Sequence, residues 1–270
     1  MAELRVTILG CGSSGGVPRL GGRWGACDPT NPKNRRRRCS ILVERFAEAA
    51  AEGAEPTRVL VDAGPDMRAQ LLDAGVGRLD GVLFTHDHAD HCHGLDDLRQ
   101  IVFNRRAILP CWAPPASAEI LLTRFGYVFE SPPGSLYPPI LAMNLIEGPI
   151  CVDGPGGALE VLPFATPHGA IEALGFRFGP VAYLPDASAM SEAAWAAVQG
   201  LDCWIVDALR YEPHSSHSHL AQTLDWIERA APRRAVITNM HIDLDHDRVA
   251  AETPAHVAPA HDGMTLAFAL

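Results

Sequence analysis

Apolar and polar residues alternate over Leu4-Arg5-Val6-Thr7-Ile8-Leu9, the period of a half-buried strand. Apolar runs at 39–44, 58–64 and 81–84 read as further strands, the last two buried. Residues 94–103 take a helical period, with Leu95, Leu98, Ile101 and Val102 on one face. Asp66 is placed to cap a helix running to Gly75. Residues 46–57 are rich in alanine and glutamate and read as a surface loop or short helical insert. Residues 107–149 are rich in proline, and only a helix over 116–125 stands out. Strands return at 159–163, 173–178 and 181–184. The chain then alternates: helix 191–198, strand 203–209, helix 220–230, strand 235–238, and a last strand at 264–269. Strands in two groups with flanking helices predict a layered α/β sandwich.

Candidate chemistry sits at strand ends. The apolar run at 81–84 leads into His86, His88, Asp90 and His91. Imidazole nitrogen and carboxylate oxygen are ligands that suit zinc and its neighbours. In a loop leaving a strand, His86 and His88 can turn toward one ion, while Asp90 and His91 face a second ion or its water. The bland alternative is a polar turn that happens to be histidine-rich. It is disfavoured because sites are built where strands end.

His86-x-His88-x-Asp90-His91 resembles the signature of the metallo-β-lactamase superfamily. The resemblance extends to His168, Asp186 and His241, each after an apolar run and in that family's order. It implies an α/β fold, an αββα four-layer sandwich formed by residues 1–270 as a single domain. It also implies two divalent metal ions, zinc or manganese, with iron another candidate. His86, His88 and His168 would hold the first ion, Asp90, His91 and His241 the second, and Asp186 would bridge them. Such a pair lowers the pKa of water and neutralises charge on an attacked phosphoryl group. Asp90 would also orient the attacking hydroxide. Asp62 resembles the family's strand-end aspartate and is assigned to orienting a metal-bound histidine or a loop N–H. In a fold of this kind the 107–149 segment would serve as a lid or as a homodimer surface.

Composition narrows the function. The 270 residues carry a net charge of −10, with 47% hydrophobic and 20% charged residues. That is an ordinary globular balance without the basic face of a general nucleic-acid binder. No signal peptide or membrane-spanning run is visible, so a cytoplasmic protein with no membrane partner is expected. The seven cysteines are odd in number and never in Cys-x-x-Cys spacing, so a disulfide framework is not expected. The glycine-rich loop Gly10-Cys11-Gly12-Ser13-Ser14-Gly15-Gly16-Val17-Pro18 either cradles a phosphate through Ser13, Ser14 and Gly15 or is a tight turn. Arg35 to Arg38 read as a solvated face, with one arginine a candidate to reach a substrate phosphate. In Pro213-His214-Ser215-Ser216-His217-Ser218-His219, His217 is the choice for general acid, ahead of His214 and His219.

Within the superfamily, the spacing of His168 and Asp186 leaves no room for the recognition arm of tRNA 3′-processing endonucleases. The short stretch after His241 leaves none for the substrate domain of glyoxalase-type thioesterases. What remains is similar to the phosphoribosyl cyclic phosphate diesterases. The expected reaction is hydrolysis of a small phosphodiester, a cyclic phosphate or a cyclic nucleotide. The alternatives are a tRNA-processing-like endonuclease and a nucleotide-binding protein of low turnover. The best-known branch of that family adds a structural zinc. Here Cys27 lacks close cysteine partners and Leu244 stands where a histidine is needed, so no structural zinc is expected.

Overall fold

The alternation at the start of the chain becomes strand β1 (Glu3–Gly10), whose Leu4, Val6 and Ile8 are fully buried on one face. In the computed structural model, which describes residues 2–48 and 53–270, β1 belongs to one of two seven-stranded sheets. The first also contains β2 (Ser40–Phe46), β3 (Thr57–Val61), β4 (Gly81–Leu83), β5 (Leu109–Ala113), β6 (Leu141–Leu145) and the last strand of the chain, β14 (Thr265–Ala269). The second runs through β7 (Ile150–Val152), β8 (Leu159–His168), β9 (Ile171–Phe178), β10 (Val181–Leu184), β11 (Cys203–Asp207), β12 (Arg234–Thr238) and β13 (Val257–Pro259).

Pairing in each sheet changes from antiparallel to parallel partway across, at β3 for the first and at β10 for the second. Ligand sites form beyond the carboxyl ends of parallel strands, where no hairpin closes the edge. The side-chain alternation divides the core. Ile41, Val43, Val59, Val61 and Leu83 face the second sheet, whose Phe176, Tyr183 and Ile205 share one face. Leu42, Leu60, Val82 and Phe84 face outward. They are covered by α1 (Met67–Asp73), α3 (Arg99–Arg105) and α4 (Pro115–Phe129). Each such side chain contributes roughly 1.5–3 kcal/mol by leaving water. The outer face of the second sheet carries α5 (Glu192–Ala197), α6 (Leu220–Ala230) and α7 (His246–Glu252). These layers make the αββα sandwich of the metallo-β-lactamase fold.

Several local expectations are corrected. Asp90 and His91 lie on a short helix, α2 (Ala89–Cys92), not in an open loop. Asp66 precedes α1 but does not cap it, because its carboxylate accepts from the Arg38 backbone N–H and Nε, both at 2.9 Å. The proline-rich segment contains β5 and β6 as well as a helix. Residues 49–52 of the expected surface insert lie outside the described residues; its two ends belong to β2 and β3.

The arginine run is not a solvated face. Arg36 is buried and donates to Asn34 Oδ1 at 3.1 Å and to the His241 carbonyl at 3.4 Å. Arg37 pairs with Asp73 and Asp262, and Arg38 with Asp66. All seven cysteines are free thiols, and Cys151 alone among them is exposed. Among the described residues no helix is long and apolar enough to cross a membrane.

Candidate metal centre

Asp62 ends β3 with φ +66°, a left-handed conformation that an aspartate tolerates better than most residues. The turn buries its carboxylate beneath the end of β4. There it accepts from the Thr85 N–H at 2.8 Å and from Thr85 Oγ1 at 2.9 Å. It also accepts from His91 Nδ1 at 2.7 Å. Thr85 Oγ1 in turn lies 2.9 Å from His86 Nδ1, so the hydroxyl that donates to Asp62 accepts from that ring. Both imidazoles are thereby held by Nδ1 with Nε2 turned forward. On the other side of the cleft, His168 Nδ1 donates to the Ser216 carbonyl at 2.6 Å. Gly64 lets the chain carrying Asp90 cross close by, since a Cβ there would fall 2.0 Å from the Asp90 carbonyl oxygen.

The freed nitrogens converge. Ligand atoms of His86, His88 and His168 lie within 4.8 Å of one another, and the same holds for His86, His91 and Asp186. Asp186 follows β10; its Oδ2 is 2.8 Å from His91 Nε2 and 3.4 Å from His86 Nε2. Asp90 Oδ2 is 3.3 Å from His91 Nε2. His86 Nε2 is buried and has no hydrogen-bond partner, a costly state for a polar atom unless an ion completes it. Burial, then the neighbouring His91, holds His86 below the usual histidine range, so the ring is a neutral donor. Burial likewise lowers His168. Burial works to raise Asp186, but the adjacent histidines outweigh it and keep the carboxyl well below its usual range. The lowered His86 and His168 and the ionised Asp186, set around an unpartnered nitrogen, fit a divalent cation.

His217 stands beside this cluster. Its Nδ1 is 3.1 Å from Asp186 Oδ1 and 3.2 Å from Asp207 Oδ2, at the end of β11. Asn239, just beyond β12, donates to Asp186 Oδ1 at 2.7 Å and to Asp207 Oδ1 at 3.1 Å. Burial alone would lower His217, but the hydrogen bonds to Asp186 and Asp207 raise it to about 10. Burial pushes Asp207 up from the usual carboxylate range. His217 is also within ligand reach of His168 and Asp186.

His241 is the predicted ligand that the geometry does not bring to the cluster. Its Nδ1 meets Asp243 Oδ1 at 2.7 Å, and its Nε2 contacts the Arg19 guanidinium. It still lines the same cleft of about 320 Å³, with Ser13, Ser14, Arg19, His88, Asp90, Asp186, Arg210, His214 and His217. Ser13 is buried with its Oγ unpartnered, whereas Gly15 lies in an adjoining groove. Asp207, Asn239 and Arg19 were not foreseen as functional. Asp207 carried a usable signal, since it ends an apolar run as Asp62 and Asp186 do.

This fold and this donor set are those of the metallo-β-lactamase fold. The chain belongs to the beta-lactamase superfamily domain family, whose model matches residues 57–242. It is 32% identical to a solved diphosphatase from the PhnP family, covering 99% of this chain and 98% of that one at a TM-score of 0.85. Zn(2+)-bound PqqB from Methylobacterium extorquens, at 20% identity, covers 97% of this chain and 99% of its own with a TM-score of 0.70, and shares the fold. An octanoyltransferase of Porphyromonas gingivalis is 30% identical over 97% of this chain but only 51% of its own length. A ribonuclease Z of Bradyrhizobium is 29% identical over 45% of this chain and 40% of its own. The chain thus spans about half or less of the length of these curated relatives.

Proposed function

We propose that this protein is a metal-dependent phosphodiesterase acting on a small phosphodiester, a cyclic phosphate such as phosphoribosyl 1,2-cyclic phosphate or a cyclic nucleotide. The observation that carries the reading is His217, held through Nδ1 by two buried carboxylates beside the histidine cluster. That hold leaves Nε2 as the ring nitrogen available to a leaving oxygen.

His86, His88 and His168 would hold one divalent ion, zinc or manganese. Asp90, His91 and Asp186 would hold a second, with His241 joining if its ring is released from Arg19. Bound metal supplies Lewis acidity toward phosphoryl oxygens and lowers the pKa of nearby water. The chain supplies the rest. Asp90 orients the attacking water, and Asp62 fixes His91. Asp207 and Asn239 set the ring of His217, which gives its proton to the departing alkoxide. Ser13 and Ser14 line the phosphoryl side of the cleft. The likeness to a PhnP-family diphosphatase supports phosphorus chemistry. The ribonuclease Z relatives favour a second reading, an RNA phosphodiesterase, though the net charge of −10 opposes it.

The test is a screen of metal-loaded protein against phosphoribosyl 1,2-cyclic phosphate, 2′,3′- and 3′,5′-cyclic nucleotides, a dinucleoside diphosphate and a tRNA precursor. Chelator-sensitive release of a phosphomonoester from a cyclic substrate is expected. Cleavage of the tRNA alone would give the second reading. Tight nucleotide binding without hydrolysis would leave a nucleotide-binding protein instead.

A further inference from the structure

We infer that Arg19 is a substrate-binding residue, its guanidinium receiving the non-bridging oxygens of the phosphoryl group. The inference rests on the phosphodiester reading of the cleft.

Arg19 opens a tight turn. Its N–H donates to the Arg23 carbonyl at 2.9 Å, and its carbonyl accepts from the Gly22 and Arg23 N–H groups at 3.0 and 3.2 Å. Gly21 and Gly22 at the tip have φ of +82° and +73°, which glycine adopts without strain. The turn sends the Arg19 side chain back across Gly15. A Cβ at Gly15 would lie 3.2 Å from Arg19 Nε and 3.3 Å from its Cγ, so the missing side chain makes the bed for the arginine stem.

The guanidinium ends on His241 Nε2 at the edge of the donor cluster. Among the described residues no carboxylate pairs with it, whereas Arg37, Arg38 and Arg58 each have at least one. A neutral imidazole nitrogen is a weak partner for a permanent cation that carries five donors in a fixed fork. The fork matches phosphate oxygens two at a time. A second feature points the same way: Ser13, a residue only 3% exposed, lines the same cleft with its Oγ unpartnered. Arg19 and Ser14 also form the wall between this cleft and a neighbouring groove of about 650 Å³ that includes Leu20, Arg23 and Pro65. A phosphoryl group gripped there faces the donor cluster on one side and leaves room for its organic substituent on the other.

Inorganic phosphate titrated calorimetrically into metal-loaded protein tests this, comparing the parent with Arg19→Ala, Arg19→Lys and Gly15→Ala. Arg19→Ala is expected to weaken phosphate at least tenfold with metal content unchanged. Arg19→Lys should weaken it less, and Gly15→Ala should weaken it by displacing the stem. A parent that binds no phosphate, or an alanine variant that binds it as well as the parent, overturns the assignment. So does a loss of metal that accounts for the loss of phosphate. Phosphate binding is read without turnover, so a failed diester screen does not decide the result. A protein that hydrolyses diesters with Arg19 irrelevant to phosphate refutes this inference alone.

Discussion

Asp62 accepts a hydrogen bond from His91 Nδ1 at 2.7 Å, so that His91 Nε2 is presented to Asp186 at 2.8 Å. The carboxylate touches no substrate, yet it fixes the tautomer and direction of a metal donor. Partners of this kind typically contribute about 10–100-fold to metal affinity. Asp62→Ala should weaken zinc or manganese by about that factor. A competitive chelator titration reads the effect, and an unchanged affinity would show that His91 holds its orientation without Asp62.

His217 and Asp207 separate acid catalysis from metal binding. His217→Ala should lower turnover by about 10²–10⁴ while elemental analysis shows full metal content. Asp207→Asn should move turnover in the same direction by a smaller factor, because Asn239 and Asp186 still contact the ring. A leaving group that needs no proton, such as 4-nitrophenolate, should rescue the His217→Ala variant. Metal lost in parallel with activity would make His217 a ligand.

Gly64 is the point where the backbones of Asp90 and the β3 turn nearly touch. Gly64→Ala places a Cβ 2.0 Å from the Asp90 carbonyl oxygen, which only a backbone shift relieves. Overpacking of this kind costs about 1–3 kcal/mol. A lower unfolding midpoint together with weakened metal binding is expected; a midpoint equal to the parent's would mean the crossing is pliable.

Asp245 joins α7 to the 28–34 turn. It caps the helix by accepting from the N–H groups of Asp247 and Arg248 at 3.1 and 3.0 Å, and it accepts from Asn34 Nδ2 at 2.6 Å. Burial works to raise its carboxyl, but these hydrogen bonds and that from the Asp28 N–H prevail and lower it. A depressed folded-state pKa gives stability that is present above the ordinary carboxylate range and is lost as pH falls through the lowered value. Asp245→Ala should cost about 1 kcal/mol at neutral pH. In urea melts the gap between parent and variant should narrow toward acid pH. A gap independent of pH would assign the effect to packing.

The side chains that cluster were legible as candidates because each follows an apolar run, where a strand must stop and a side chain must face the sheet edge. His86 and His88 stood out within one local motif, whereas Asp186 was reached through the resemblance, after an apolar run and in that family's order. What could not be read were pairings across the chain. Arg19 meets a histidine 222 positions away, and Asn34 meets Asp245 across 211. No local period encodes such contacts. Arg36 misled for the same reason: four successive arginines have the composition of a solvated face, and only tertiary partners bury one of them. β5 and β6 escaped notice because prolines and a polar loop blur the short parallel strands at a sheet edge.

The donors are divided between the two sheets: His86, His88 and His91 follow β4 of the first, while His168 and Asp186 end strands of the second. The ion proposed to be shared by them would act as a rivet through the sandwich. Sliding one sheet against the other would pull the donors apart before it exposed any of the apolar surface between them. Loosening the packing around Phe178, on the same face of its sheet as Tyr183, should therefore register first as a leak of metal and only later as unfolding.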